Sequence, residues 1–116
     1  MKIGDKGPGG GIVFHIEGNK SYEVSDLLGR ATWGKAFELC YDYRGGGYDD
    51  WYLPTEDELN LIYNNLKNID EISMKCWYWS STHFVGGPAF RMWFGSGHGV
   101  FDNKHRKCCV RAVHAF

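Results

Sequence analysis

Four potential metal ligands crowd the end of the chain: His98, His105, Cys108 and Cys109 fall within twelve residues. Structural zinc sites draw their thiolates and imidazoles from pairs with roughly two to five residues between the members, so that both reach one ion. No such pairing occurs here, and adjacent cysteines chelate poorly, so no metal site is expected. The same residue types raise the question of nucleophilic chemistry, because a thiol beside an imidazole can be activated as a thiolate. Four cysteines and five histidines spread over 116 residues make an unspecific set. No catalytic residue and no cofactor is expected, and the chain reads as a non-enzyme.

The side chains better suited to function are those that bind. Across Ala89 to Phe94 the residues alternate so that Arg91 and Trp93 share one strand face, while Phe90, Met92 and Phe94 share the other. Tryptophan and arginine are the types most enriched at binding hot spots, since each combines a large contact area with a directional donor. One register presents that pair to solvent and the opposite register buries Trp93, and alternation alone leaves both open. Next to this strand, His83, Phe84 and Val85 form a loop with apolar tips, bounded by Gly86 and Gly87. Loops mixing aromatics with glycine resemble adaptable binding surfaces. Ser96, His98, Val100, Phe101, Asn103, His105 and Arg106 extend the candidate surface, although a strand phenylalanine such as Phe101 is more often core.

These residues need a frame. The lead Lys6 to Gly11 is glycine-rich, and Ile12 to Ile16 then reads as a short apolar strand, with a second around Tyr22 to Val24. Trp33, Ala36, Phe37, Cys40 and Tyr41 recur at helical spacing, which predicts a helix over about 32–42 with Thr32 as N-cap and Gly45–Gly47 as its end. Thr55 and Glu58 match a capping box, and Leu59, Ile62, Tyr63 and Leu66 follow as an apolar stripe, predicting a helix over about 55–66. Beyond residue 76 the period changes: Trp77 to Ser81, Ala89 to Phe94, Gly99 to Phe101 and Cys108 to Val113 read as strands between glycine-rich turns. Two helices followed by short strands make an α+β domain, with no repeat and no second domain.

Composition bounds the rest. A 116-residue chain with 43% hydrophobic residues is long enough for one domain that buries about two-thirds of its unfolded surface. Sixteen glycines and nineteen aromatics favour many turns with aromatics supplying the buried area. No apolar run approaches the roughly 20 residues that span a bilayer, so no direct membrane insertion is expected, and the opening residues lack a signal-peptide core. The net charge of −1 hides an asymmetry. Arg91, Lys104, Arg106, Lys107 and Arg111 face only Asp102 after residue 82, giving a basic final third on an acidic body. No polybasic arm or nucleic-acid motif accompanies it, so nucleic acid is not an expected partner. Cys40, Cys76, Cys108 and Cys109 are expected as reduced, partly buried thiols, with at most one of the adjacent pair facing the core.

Asp50-Trp51-Tyr52-Leu53-Pro54, Glu58-Leu59, Tyr78-Trp79-Ser80-Ser81-Thr82 and Val110-Arg111-Ala112-Val113, together with Gly10 to Phe14 and the helix ending at Cys40, form an ordered set over nearly the whole chain. That set resembles the C-terminal domain family of bacterial collagen-like adhesins, the Lcl C-terminal domain. The resemblance implies an α+β, C-type-lectin-like fold: two helices on short, mostly antiparallel strands, with the terminal strands close together. It places Phe94 inward with Phe90 and Met92, so Arg91 and Trp93 face out.

The resemblance also implies ligand binding at a cell surface or virion, because family members are adhesin tips and some are variable proteins of diversity-generating retroelements. Residues 83–109 lie where such a protein would be randomised, leaving 1–82 and 110–116 as scaffold. Adenine-directed randomisation of an Asn codon cannot yield Lys, Glu, Gln, Met or Trp. Residues 83–88 contain none of these, but Met92, Trp93, Lys104 and Lys107 do not fit, and the codon criterion decides nothing. Asp50, Trp51, Trp79 and Arg111 carry the family pattern and are expected to be structural, the two tryptophans in the core and Asp50 paired with Arg111. The sugar-binding motifs of calcium-dependent lectins are missing, and Phe101-Asp102-Asn103 is a poor match. Formylglycine-generating enzymes share the fold, but their signature segments are missing too. The expected partner is a protein or glycan on a cell or host surface, met by a monomer, and the basic third makes acidic glycans the first to try. The alternative is a structural assembly module of a fimbria, phage tail or surface layer, in which an oligomer would bury the aromatic patch.

Overall fold

The computed structural model describes residues 1–72 and 75–116. Its two sheets are joined by two helices. Strands β1 (Ile12–Glu17), β2 (Lys20–Val24) and β8 (Val113–Ala115) form a small antiparallel sheet in the order β1-β2-β8. The terminal strands thus share one sheet, with β2 between them. Strands β3 (Gly29–Ala31), β4 (Trp77–His83), β5 (Ala89–Trp93), β6 (His98–Asp102) and β7 (Cys108–Val110) form the larger sheet in the order β3-β7-β4-β5-β6. All its pairings are antiparallel except the short parallel contact of β4 with β7. The sequence reading omits β3 and runs β7 and β8 together as one strand; the chain leaves the sheet at Arg111 and Ala112.

Helices α1 (Trp33–Asp42) and α2 (Glu56–Leu66) lie on opposite faces of the larger sheet, which therefore carries a core on each side. Strand alternation divides its residues between them. Tyr78, Met92 and Cys109 pack with Leu59, Ile62 and Leu66 of α2. Trp79, Ala89 and Cys108 pack with Ala36 and Cys40 of α1 and with Trp51 and Leu53. The expectation that only one of Cys108 and Cys109 faces a core is thus corrected: both are buried, one on each side. The expectation of four reduced thiols is corrected as well. Cys76, just before β4, is disulfide-bonded to Cys109, leaving Cys40 and Cys108 as buried free thiols.

The helices start and stop for local reasons. The Thr55 hydroxyl accepts from the Glu58 amide while the Glu58 carboxylate accepts from the Thr55 amide, completing the capping box. Thr32 occupies the N-cap of α1 without a side-chain cap bond. In α1 the apolar stripe is wider than its core contact. Ala36 and Cys40 are buried, whereas Phe37 and Tyr41, expected beside them, are 38% and 73% exposed. After α1 the chain turns at Gly46, whose φ of 66° favours glycine and whose hydrogen, in place of a Cβ, lets the Gly9 backbone approach. Among the described residues no helix is long and apolar enough to cross a membrane.

Trp51 and Trp79 are buried, as expected of core residues. The pairing of Asp50 with Arg111 does not form. Arg111 is buried and donates to the Tyr78 hydroxyl and to the carbonyls of Ser25 and Glu71, fixing the strand-to-strand corner it occupies. Asp50 instead contacts His114 Nε2 at 3.0 Å. Arg111 consequently contributes nothing to a basic surface.

Candidate functional site

The antiparallel register of β5 with β4 and β6 decides where the candidate binding residues stand. Trp93 lies opposite Trp77 on β4 and His98 on β6; Arg91 lies opposite Trp79 and Val100. Opposed residues share a face, so Trp77, Trp93, Arg91, His98 and Val100 sit on the face that carries α1 further along. Phe90, Met92 and Phe94 point into the α2 core. Arg91 and Trp93 are therefore turned away from that core, but both are partly buried, with only 13% of the Arg91 side chain exposed. Arg91 stacks over the Trp77 ring at 3.9 Å, and the rings of Trp77 and Trp93 lie 5.8 Å apart.

This corner encloses a pocket of about 560 Å³. Its aromatic wall is Trp77 and Trp93, and its rim carries five cations, Arg30, Lys75, Arg91, Arg106 and Lys107, with no acid in the lining among the described residues. Behind the rim, Asp102 Oδ2 accepts from Arg91 at 2.6 Å and meets Arg106 Nε at 2.9 Å. The Asn103 amide, donating to Oδ1, joins the two guanidiniums in holding the Asp102 carboxyl below the usual carboxylate range. Asp102 thus orients two arginines, while Arg30, Lys75 and Lys107 make no ion pair among the described residues. Cys108 lines the base of the pocket; burial pushes its thiol up, with Arg91 opposing. Cys40, deeper in the same core, is pushed up to about 12 by burial. Both thiols are thus less acidic than a free cysteine, the opposite of the shift that marks a reactive one.

The remaining candidates form a separate surface. Phe84 and Val85 are 59% and 94% exposed at the tip of the β4–β5 turn, and Phe84 packs on Phe101 with centroids 4.8 Å apart. Phe101 is 42% exposed and touches Phe90 at the sheet edge, so it is a surface ring with one buried side. His83 is exposed, 3.0 Å from Lys104 Nζ, with its ring tilted against Trp33 at a centroid distance of 4.6 Å. Ser96 and His98 lie in and just after the β5–β6 turn, and Asn103 and His105 in the turn after β6, where the Asn103 side chain accepts from the His105 amide. The single surface expected from the sequence is thus split: Arg91, Trp93 and Arg106 meet around one pocket, and Phe84, Val85 and Phe101 form a separate apolar edge.

Six lining residues lie outside the candidates read from the sequence: Arg30, Lys75, Cys76, Trp77, Lys107 and Cys108. The sequence pattern places Trp77 only within a strand, and Arg30 and Lys75 fall in the acidic body of the chain. The signal for Trp77 was present, since alternation puts residues 77 and 79 on one face. Arg30 arrives through β3, which pairs with β7 and has no sequence pattern of its own.

Two short sheets with one helix on each face of the larger one, closed by β8 returning beside β2, make a C-type-lectin-like fold. The C-type lectin CEL-I from Cucumaria echinata superposes with a TM-score of 0.51 at 13% identity, over 85% of this chain and 92% of that one. A structure described as the EPNH mutant of CEL-I gives 0.52 at 12%, over 88% and 93%. The Yersinia pseudotuberculosis adhesin InvE gives 0.48 at 14%, over 84% of this chain and 33% of that one. A family model for the Lcl C-terminal domain matches residues 17–114, and the chain belongs to that family. No curated protein matches it significantly.

Proposed function

We propose that the domain is a non-catalytic binding module whose principal site is the Trp77–Trp93 pocket, and that its ligand is an acidic glycan on a cell or host surface. The observation that carries this reading is the lining itself: two tryptophans and five cations with no carboxylate among them. Such a site pairs sulfate or carboxylate groups with Arg30, Arg106 and Lys107, while the indoles pack against the faces of sugar rings. Asp102 keeps Arg91 and Arg106 in place before a ligand arrives, which lowers the ordering cost of binding. The Cys76–Cys109 disulfide suits an oxidising environment, in keeping with display outside the cell. Within residues 83–109, Phe90, Met92 and Phe94 belong to the α2 core, while Phe84, Val85 and His105 stand exposed on the turns, and this supports reading those turns as a diversifiable surface on a fixed scaffold.

Titration with a sulfated oligosaccharide and its desulfated counterpart tests the proposal. The sulfated form is expected to bind, to weaken as salt rises, and to lose about tenfold in affinity with Trp93→Ala. Equal binding of both forms, or an affinity indifferent to Trp93→Ala and to salt, overturns the site. Sequencing residues 83–109 across a population tests diversification: an invariant segment with no template copy nearby removes it.

A further inference from the structure

On the other side of α1 the chain builds a second recess of opposite character. Phe37 and Tyr41, one helical turn apart, stand above the segment from Trp51 to Leu53 and leave a groove of about 630 Å³ between them. Its floor is rigid: Trp51, Leu53 and Cys40 are buried, and Trp51 Nε1 donates to the Gly45 carbonyl at 3.1 Å. Glu38 and Asp42, also one turn apart, carry carboxylates on the rim, and no cation lines the groove. Asp42 makes no ion pair among the described residues, and Glu38 pairs only with exposed Lys35 at 3.3 Å.

Exposed rings beside two carboxylates, Glu38 held only by an exposed lysine and Asp42 in no ion pair among the described residues, favour one ligand chemistry. The π face of an aromatic ring attracts a cation, and a carboxylate supplies the directional acceptor that a guanidinium fork matches. The chain already shows the compatibility locally: the Arg44 guanidinium lies 6.0 Å from the Tyr41 centroid while donating to the carbonyls of Tyr41 and Tyr43. A volume of this size holds two or three side chains, within the range of ordinary ligand pockets.

We propose that the α1 groove is a second binding site, and that it takes an arginine-bearing, partly apolar segment of a partner protein. Guanidinium groups pair with Glu38 and Asp42, and an apolar side chain fills the space between Phe37, Tyr41 and Leu53. The groove shares no lining residue with the Trp77–Trp93 pocket, so each can fail without the other, although Glu38 and Asp42 also border a recess that holds Arg30, Lys35 and Lys107.

The test is a titration of the whole domain with acetyl-Arg-Phe-Arg-amide and, separately, with acetyl-Glu-Phe-Glu-amide, followed by amide chemical shifts. The basic peptide is expected to bind at least tenfold more tightly than the acidic one. Its shifts should be confined to α1 and residues 51–53. Tyr41→Ala and the double change Glu38→Gln/Asp42→Asn should each weaken it by about tenfold, whereas Trp93→Ala should leave it unchanged. These positions are exposed, and an unchanged thermal melt confirms that each variant is folded. Absence of binding, equal binding of both peptides, shifts centred on Trp77 and Trp93, or indifference to the double change would each overturn the proposal. So would sedimentation showing the groove already covered by a second copy of the chain.

Discussion

His114 Nδ1 lies 2.7 Å from Glu23 Oε2, and both side chains are fully buried. The pair joins the last strand to the second, and it reaches further at both ends. Glu23 accepts from the amides of Gly9 and Gly11 at 2.9 and 2.8 Å, while His114 Nε2 faces Asp50 at 3.0 Å. Each ring nitrogen of His114 thus meets a carboxylate oxygen. The ring is flanked by Tyr48 and Trp51, and the Glu23–His114 contact lies buried while the Asp50 side chain is 62% exposed. The glycine-rich lead, the entry to α2 and the chain terminus are thereby held to one point.

Glu23→Gln should be severely destabilising. It removes the charge facing His114 and replaces one acceptor of the glycine amides with a donor. Loss of one partner from a buried charge pair typically costs about 3–5 kcal/mol. A denaturant melt should show the midpoint falling with an unchanged slope; a midpoint near that of the parent would mean the cluster is not a fastening.

The capping box of α2 makes a smaller, local prediction. Thr55→Ala should cost about 1 kcal/mol, because the Glu58 amide loses its acceptor while the side chain itself is exposed. Thermal unfolding should register this as a drop of a few degrees, and Thr55→Ser should restore most of it.

Acid stability should depend on Asp102. Its folded-state acidity is increased, so its contribution is fully present above the ordinary carboxylate value near about 4 and is lost as the pH falls through the lower folded value. Asp102→Asn should remove that part of the acid-induced loss and leave the rest of the profile in place. The measurement is stability against pH from about 2 to 6 for both proteins. Identical profiles would show that the Asp102 cluster does not couple to folding.

Thiol counting tests the cysteine assignment. Cys40, with its acidity shifted to about 12, and buried Cys108 should resist iodoacetamide at pH values near 8 in the native protein. Denaturation without reductant should expose two thiols, and denaturation with reductant four, as one disulfide and two free cysteines require. Four reactive thiols without reductant would remove the Cys76–Cys109 bond.

Local signals were readable and long-range ones were not. The capping box and the stripe of Leu59, Ile62 and Leu66 lie within twelve residues, so α2 was legible with nearly the observed ends. The inward set of Phe90, Met92 and Phe94 followed once one of them was placed. In contrast, β3 consists of Gly29, Arg30 and Ala31 and exists because β7 pairs with it. Asp50 and Arg111 both found partners distant in sequence, and nothing in the spacing of Glu23 and His114 announces that they meet. Phe37 and Tyr41 misled in a different way: helical periodicity reports an apolar face, and a face needs a covering neighbour before it becomes core. For the binding surface, the residue types were legible, but their division between a cationic pocket and an apolar edge required the register.

The disulfide has a consequence for survival among proteases. Cys76 and Cys109 bracket residues 77–108, which contain β4, β5, β6 and every candidate contact from His83 to Arg106. One accessible bond for a protease lies near Val85, at an exposed turn tip inside that loop. A single cut there divides the chain but not the molecule: both fragments stay covalently joined and paired through the sheet. A nicked domain therefore keeps its pocket assembled, and a digestion that yields two bands under reducing conditions yields one without reductant.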